Sequence, residues 1–129
     1  MTERDLPRLG GKTGAYLLAI RLQKSVRLEA GALAGKKLGP GIYLYAGSAY
    51  GPGGLAARVK RHFRQDKKHH WHVDALTMRA DQLAAYPVEN GKECVLVERV
   101  LAAGGFRTAM DGFGSTDCST CKSHLLLAR

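Results

Sequence analysis

Acidic side chains are scarce in this chain: Asp and Glu number 11 against 20 Lys and Arg, for a formal net charge of +9 and a pI near 9.8. That imbalance does not decide a fold. It favours polyanionic partners such as nucleic acid over acidic proteins or neutral metabolites. Solubility alone would account for scattered charge, but Arg58, Lys60, Arg61, Arg64, Lys67 and Lys68 crowd into one short stretch opposed only by Asp66. Cysteine is equally sparse. An odd total of 3 argues against a disulfide framework and for reduced thiols. Long apolar runs are absent too: no segment is long enough to span a bilayer, and the opening MTERDLPRLGGKTG lacks the apolar core of a secretion signal. The expected compartment is therefore the cytoplasm, with no membrane partner.

What is present suits one compact domain, because 129 residues at 45% hydrophobic and 24% charged carry enough apolar material for a single core. Residues 1–13 read as a flexible lead-in and residues 14–129 as the domain. Gly10-Gly11-Lys12-Thr13 imitates a phosphate-binding P-loop, but Leu6 stands where its first glycine belongs and the strand follows rather than precedes it.

GAYLLAIRL, from Gly14 to Leu22, alternates Tyr16, Leu18, Ile20 and Leu22 with Ala15, Leu17 and Ala19, which predicts a strand buried on most of both faces. A short second strand is expected around Ser25 to Glu29, then a loop from Gly31 to Gly39, then a strand from Gly41, laid out as an antiparallel meander. On that last strand Tyr43 and Tyr45 share one face. Gly47, Gly51, Gly53 and Gly54 with Pro52 make a sharp exit into a helix over about Leu55 to Asp66, whose N-terminus suits an anion. Leu55, Val59 and Phe63 form its apolar stripe. Arg58 and His62 lie along the flank, and Lys60, Arg61 and Arg64 face away. A partly buried Arg58 needs a partner.

Beyond this helix, His69-His70-Trp71-His72-Val73-Asp74 looks like metal bait, yet capping, packing or phosphate contact explains it better than zinc. Val73 to Met78 reads as a short helix and Gln82 to Val88 as a strand ending about Pro87. Asn90-Gly91-Lys92-Glu93 opens a helix through about Ala103, striped by Cys94, Val97, Val100 and Leu101 with Leu96 at the edge, with Glu93 inside the stripe and Glu98 toward the flank. Two readings of Glu93 stand level: the N3 acid of a capping box begun by Asn90, or a carboxylate aimed at a site. The tail carries Cys118, Cys121, His124 and a strand-like Leu125 to Leu127. A lone C-x-x-C is half a zinc site, so structural zinc is not the expectation.

Taken together, Gly14-Ala15-Tyr16, Tyr45-Ala46-Gly47, Arg58 with His62 four residues later, and Glu93 opening Glu-Cys-Val-Leu resemble the GIY-YIG nuclease superfamily, and within it the small stand-alone Uri-type endonucleases. HWHVD and the tail GFGSTDC with SHL look like that subfamily's decorations. Gly41-Ile42-Tyr43 spells the first motif literally, but Tyr43 and Tyr45 lie on one strand, whereas the family's two tyrosine motifs occupy neighbouring strands. This chain has alanine in the middle of both motifs, a long connection between them and no lysine after the second.

The resemblance implies an α/β (α+β) fold with a small, mainly antiparallel central sheet flanked by helices. It also implies a divalent-metal-dependent endonuclease acting on nucleic acid, DNA foremost. Glu93 would hold one Mg2+ or Mn2+. Tyr16 would be the general base, its ionised form favoured by Arg58 and the metal. Tyr45 would position water or phosphate, Arg58 would stabilise phosphoryl charge, and His62 would orient or assist proton transfer. Nucleic-acid contacts are expected from Gly47, Ser48, Lys60, Arg61, Arg64, Lys67 and Lys68, and a DNA-repair or recombination protein is a candidate partner. The rival readings are a non-catalytic nucleic-acid-binding module that retains the fold, and a zinc-stabilised scaffold.

Overall fold

The computed structural model describes residues 11–28, 33–64, 73–110, 113 and 123–129. In chain order its elements are β1 (Gly14–Leu22), β2 (Val26–Arg27), β3 (Lys37–Leu38), β4 (Gly41–Ala49), α1 (Gly54–Phe63), α2 (Asp74–Thr77), β5 (Gln82–Glu89), α3 (Glu93–Ala103), β6 (Phe106–Thr108) and β7 (Leu125–Ala128). Five strands form one antiparallel sheet in the order β5-β1-β4-β7-β6, and helices flank it, as the sequence leads one to expect of a small α+β fold. No helix among the described residues is long and apolar enough to cross a membrane.

Alternation along β1 and β4 divides the core in two. Tyr16, Leu18, Ile20, Tyr43 and Tyr45 face the larger cluster, where Leu55 and Val59 of α1 and Leu76 of α2 close over them. Ala15, Ala46 and Leu126 face the other way, where Leu96 and Val97 of α3 pack onto them; Leu96, expected at the edge of the α3 stripe, is buried, and Leu101, expected within it, is exposed. Each fully buried leucine here contributes roughly 2–5 kcal/mol against truncation to alanine.

Several expectations need correcting. β2 does not lie between β1 and β4; it pairs with β3, inside the stretch expected to be loop, in a separate two-stranded sheet. β4 lies directly against β1, so the layout is not a simple meander. The buried residues of α1 are Gly54, Leu55, Val59 and His62, so the stripe ends on histidine, while Phe63 is only partly covered. The helix stops at Phe63 because Arg64 is extended, and the expected end at Asp66 lies outside the described residues. β5 continues through Pro87 to Glu89, which an edge strand tolerates because its outer side needs no amide donor. The capping box is not formed. The N-cap of α3 is Lys92 rather than Asn90, without a side-chain capping bond, which puts Glu93 at the first helical position instead of the third. Lys12 and Thr13, expected in the lead-in, are tied to the domain: Leu55 N–H donates to the Lys12 carbonyl and Asn90 N–H to that of Thr13, both at 2.9 Å.

Arg61 departs furthest from its expected outward orientation. Its guanidinium donates to both carboxylate oxygens of Asp74, at 2.7 and 2.9 Å, and the Asp74 side chain is fully buried while that of Arg61 is 24% exposed. A buried carboxylate requires such a partner, so this pair pins α2 to α1.

Candidate active site

Strand direction concentrates the site residues at one end of the sheet. The start of β1 pairs with the ends of both β4 and β5, at Gly14↔Ala49 and Gly14↔Glu89. The chain leaves β4 there to begin α1 and leaves β5 there to begin α3, so both helix N-termini emerge at this end. Gly54 is the hinge of the first exit: its φ is +60°, and a Cβ would lie 2.3 Å from the Lys12 carbonyl oxygen.

Within this frame Tyr16 stands opposite Gly47 and its ring crosses the neighbouring strand. A Cβ on Gly47 would fall 2.3 Å from both Cζ and the hydroxyl oxygen of Tyr16. The glycine of the second motif is therefore the seat of the tyrosine of the first. Gly47 is itself buried, and Ser48 is half-buried.

The Tyr16 hydroxyl lies 2.6 Å from His62 Nε2, with ring centroids 5.3 Å apart. Tyr45 meets the same imidazole edge-on at 6.2 Å and packs against Phe113 at an equal distance. Tyr16 is 1% exposed and Tyr45 8%. Burial holds the Tyr16 phenol well above its ordinary value of 10; Tyr45, Glu93 and Asp74 push the same way and Arg58 pulls against them. Tyr45 is raised chiefly by burial and then by Glu93, again opposed by Arg58. Arg58 acts in the expected direction, but desolvation outweighs it. The protonated phenol and His62 Nε2 share one hydrogen bond, whose donor is set by the imidazole tautomer.

Arg58 is half-buried under the glycine turn, where a Cβ on Gly51 would lie 3.8 Å from its Nη2. Glu93, its side chain 33% exposed, lies in the first turn of α3, close enough to act on both phenols. The five expected catalytic residues thus come from β1, β4, α1 and α3 and share one electrostatic neighbourhood.

His124, given no role from sequence, joins them: its Nδ1 lies 3.6 Å from Glu93 Oε2 and its Nε2 3.5 Å from Cys94 Sγ. The available signal was a histidine heading an apolar terminal strand, a position that demands a polar partner. Of the expected nucleic-acid contacts, Lys60 and Arg64 are exposed and Arg61 is engaged by Asp74. Lys67, Lys68, His69, His70, His72, Cys118 and Cys121 lie outside the described residues.

Among the described residues no group of three or more His, Cys, Asp and Glu side chains is arranged to hold a metal ion. A magnesium-type ion needs no such cage, since it keeps several waters and takes one or two carboxylates plus substrate phosphates. The partly exposed Glu93 carboxylate beside the tyrosines and Arg58 fits that mode.

Comparison with curated proteins and with solved structures finds no match. The sequence profile of a family described as a domain of unknown function, DUF123, matches residues 15–129, nearly the whole chain, and the chain belongs to that family.

Proposed function

We propose that this protein is a divalent-metal-dependent endonuclease of the GIY-YIG type, close to the Uri-type enzymes, that hydrolyses nucleic-acid phosphodiester bonds, with DNA as the first substrate to test. The observation that carries this reading is the convergence of the Tyr16–His62 pair with Tyr45, Arg58 and Glu93 at one end of the sheet. Glu93 would hold one Mg2+ or Mn2+, which supplies neutralisation of phosphate charge when bound.

Tyr45, the nearer of the two phenols to solvent, meets substrate first together with Arg58 and Glu93. Arg58 stabilises charge developing on the non-bridging phosphoryl oxygens. Tyr16 acts from beneath, and because its phenol is held protonated it works as a relay rather than as a standing phenolate. Its oxygen takes the proton of the attacking water as its own proton passes to His62 Nε2, while the water oxygen bonds to phosphorus and the P–O bond to the leaving sugar oxygen breaks, that oxygen departing with the bonding pair and taking a proton from solvent.

The test is nicking of supercoiled plasmid in Mg2+ against a chelator control, extended to branched, single-stranded and RNA substrates. Arg58→Ala and Glu93→Ala are each expected to lower the rate by about 100-fold or more with the fold intact. Undiminished cleavage in either variant would refute its assigned role. The near-complete burial of both phenols favours a second reading, a nucleic-acid-binding module without turnover. Salt-sensitive binding with no cleavage of any substrate would select it.

A further inference from the structure

His124 is a buried titratable group beside the candidate site that the proposed chemistry leaves unused. It is 2% exposed, and its backbone is fixed on both sides. Its N–H donates to the Phe113 carbonyl and its carbonyl accepts from Ala46 N–H, each at 2.9 Å, so the start of β7 is locked against the strand that carries Tyr45. The two ring nitrogens then face different groups. Nε2 lies 3.5 Å from the Cys94 thiol, and Nδ1, which has no solvent contact, lies 3.6 Å from Glu93 Oε2, just beyond ordinary hydrogen-bond length.

Proton placement orders these contacts. A carboxylate only accepts, a thiol carries one proton, and a neutral imidazole carries one N–H. Both contacts are served when Cys94 S–H donates to Nε2 and Nδ1–H points at Glu93. A small rotation of the partly exposed glutamate closes that gap, whereas the imidazole is held by its backbone.

We infer that His124 is a positioning residue that holds the Glu93 carboxylate in the orientation in which it receives a divalent cation. This rests on the metal-dependent reading of Glu93. Direct ligation by His124 fits less well, because Nδ1 is closed to solvent and Nε2 faces the thiol. Outer partners of this kind commonly change metal affinity by about 10- to 100-fold when removed.

The two faces of the ring are separable by mutation. His124→Asn keeps an N–H where Nδ1 stands, and His124→Gln places its amide near Nε2 instead. The full-length chain and its His124→Ala, His124→Asn and His124→Gln variants are titrated with Mn2+ without substrate, with free Mn2+ read by paramagnetic resonance and the fold checked by circular dichroism. Ala and Gln are expected to weaken Mn2+ binding by about 10-fold or more while Asn stays within about 3-fold of the parent. Parent-like binding in a folded His124→Ala variant, or equal losses in Asn and Gln, overturns the inference. If the His124 variants lose the fold, the 15N-histidine-labelled parent chain tests the same contact: a His124 proton on Nδ1 whose resonance shifts when Mg2+ is added supports the inference, and a proton on Nε2 or a resonance unmoved by Mg2+ overturns it. A parent chain that binds Mn2+ in this His124-dependent way yet nicks no substrate defeats the nuclease proposal alone. A parent that binds no Mn2+ defeats the inference, whatever the nicking assay shows.

Discussion

Replacing Gly47 with alanine tests whether the two tyrosine motifs are one mechanical unit. The new Cβ would lie 2.3 Å from Cζ and the hydroxyl oxygen of Tyr16 and 2.8 Å from its Cε2, distances that non-bonded carbons do not adopt. Restoring contact separation displaces the ring by on the order of 1 Å. Tyr16 has nowhere free to go, since it is 1% exposed and its hydroxyl is held 2.6 Å from His62 Nε2. Overpacking of this kind costs about 1–3 kcal/mol. Loss of the hydrogen bond adds about 1 kcal/mol, for a total of about 2–4 kcal/mol. In a domain of this size that corresponds to a fall in Tm of roughly 8–16 °C. Thermal denaturation followed by circular dichroism measures it, and a double-mutant cycle with Tyr16→Phe tests the cause. Tyr16→Phe alone removes the hydrogen bond, whereas in the Gly47→Ala background that bond is already broken, so the two changes should couple by about 1 kcal/mol. A Tm within about 2 °C of the parent, or strict additivity in the cycle, would refute the reasoning.

The remaining expectations concern protonation, salt and the ion pair beneath α1. Tyr16 and Tyr45 have phenol pKa values raised by burial above the ordinary 10, so the unfolded chain releases these protons first. The stability that depends on them is fully present below about pH 10 and is lost above it, at about 1.4 kcal/mol per pH unit for each phenol. Tyr45→Phe should therefore make the loss of urea stability between about pH 10 and 11 shallower, and an unchanged slope would count against its burial as a neutral phenol. The basic residues of α1 should separate by role. Asp74→Ala removes the buried carboxylate that accepts two bonds from Arg61 and is expected to cost about 2–4 kcal/mol in denaturant titration; a loss below about 0.5 kcal/mol would show that the pair does not hold α2 in place. Lys60→Ala should leave stability unchanged and reduce the salt slope of duplex binding by about 0.9, and an unchanged slope would remove Lys60 from the interface.

The same contrast explains what could be read in advance. Period-two alternation places Tyr16 and Tyr45 on their proper faces because it depends only on neighbours along the chain, and it recovers β1, β4, β5 and the apolar terminal strand. Sheet order has no such local signature. β7 enters beside β4 through pairs such as Tyr45↔Leu125, and β6, which carries no recognisable signal, is three residues long. Helical periodicity put His62 on a flank and Arg61 in solvent because it knows nothing of partners. His62 is buried by tyrosines from two strands, and Arg61 is claimed by an aspartate from the next helix. Glu93 shows the limit most clearly, since a cap and a site-directed carboxylate read identically along the chain. With Lys92 as N-cap and Glu93 at the first helical position, the reciprocal bonds of a capping box cannot form. The cap no longer accounts for this acid. It still suits the first turn of α3, and what the chain could not show is the company brought by other elements, with both phenols within electrostatic reach and His124 Nδ1 3.6 Å away.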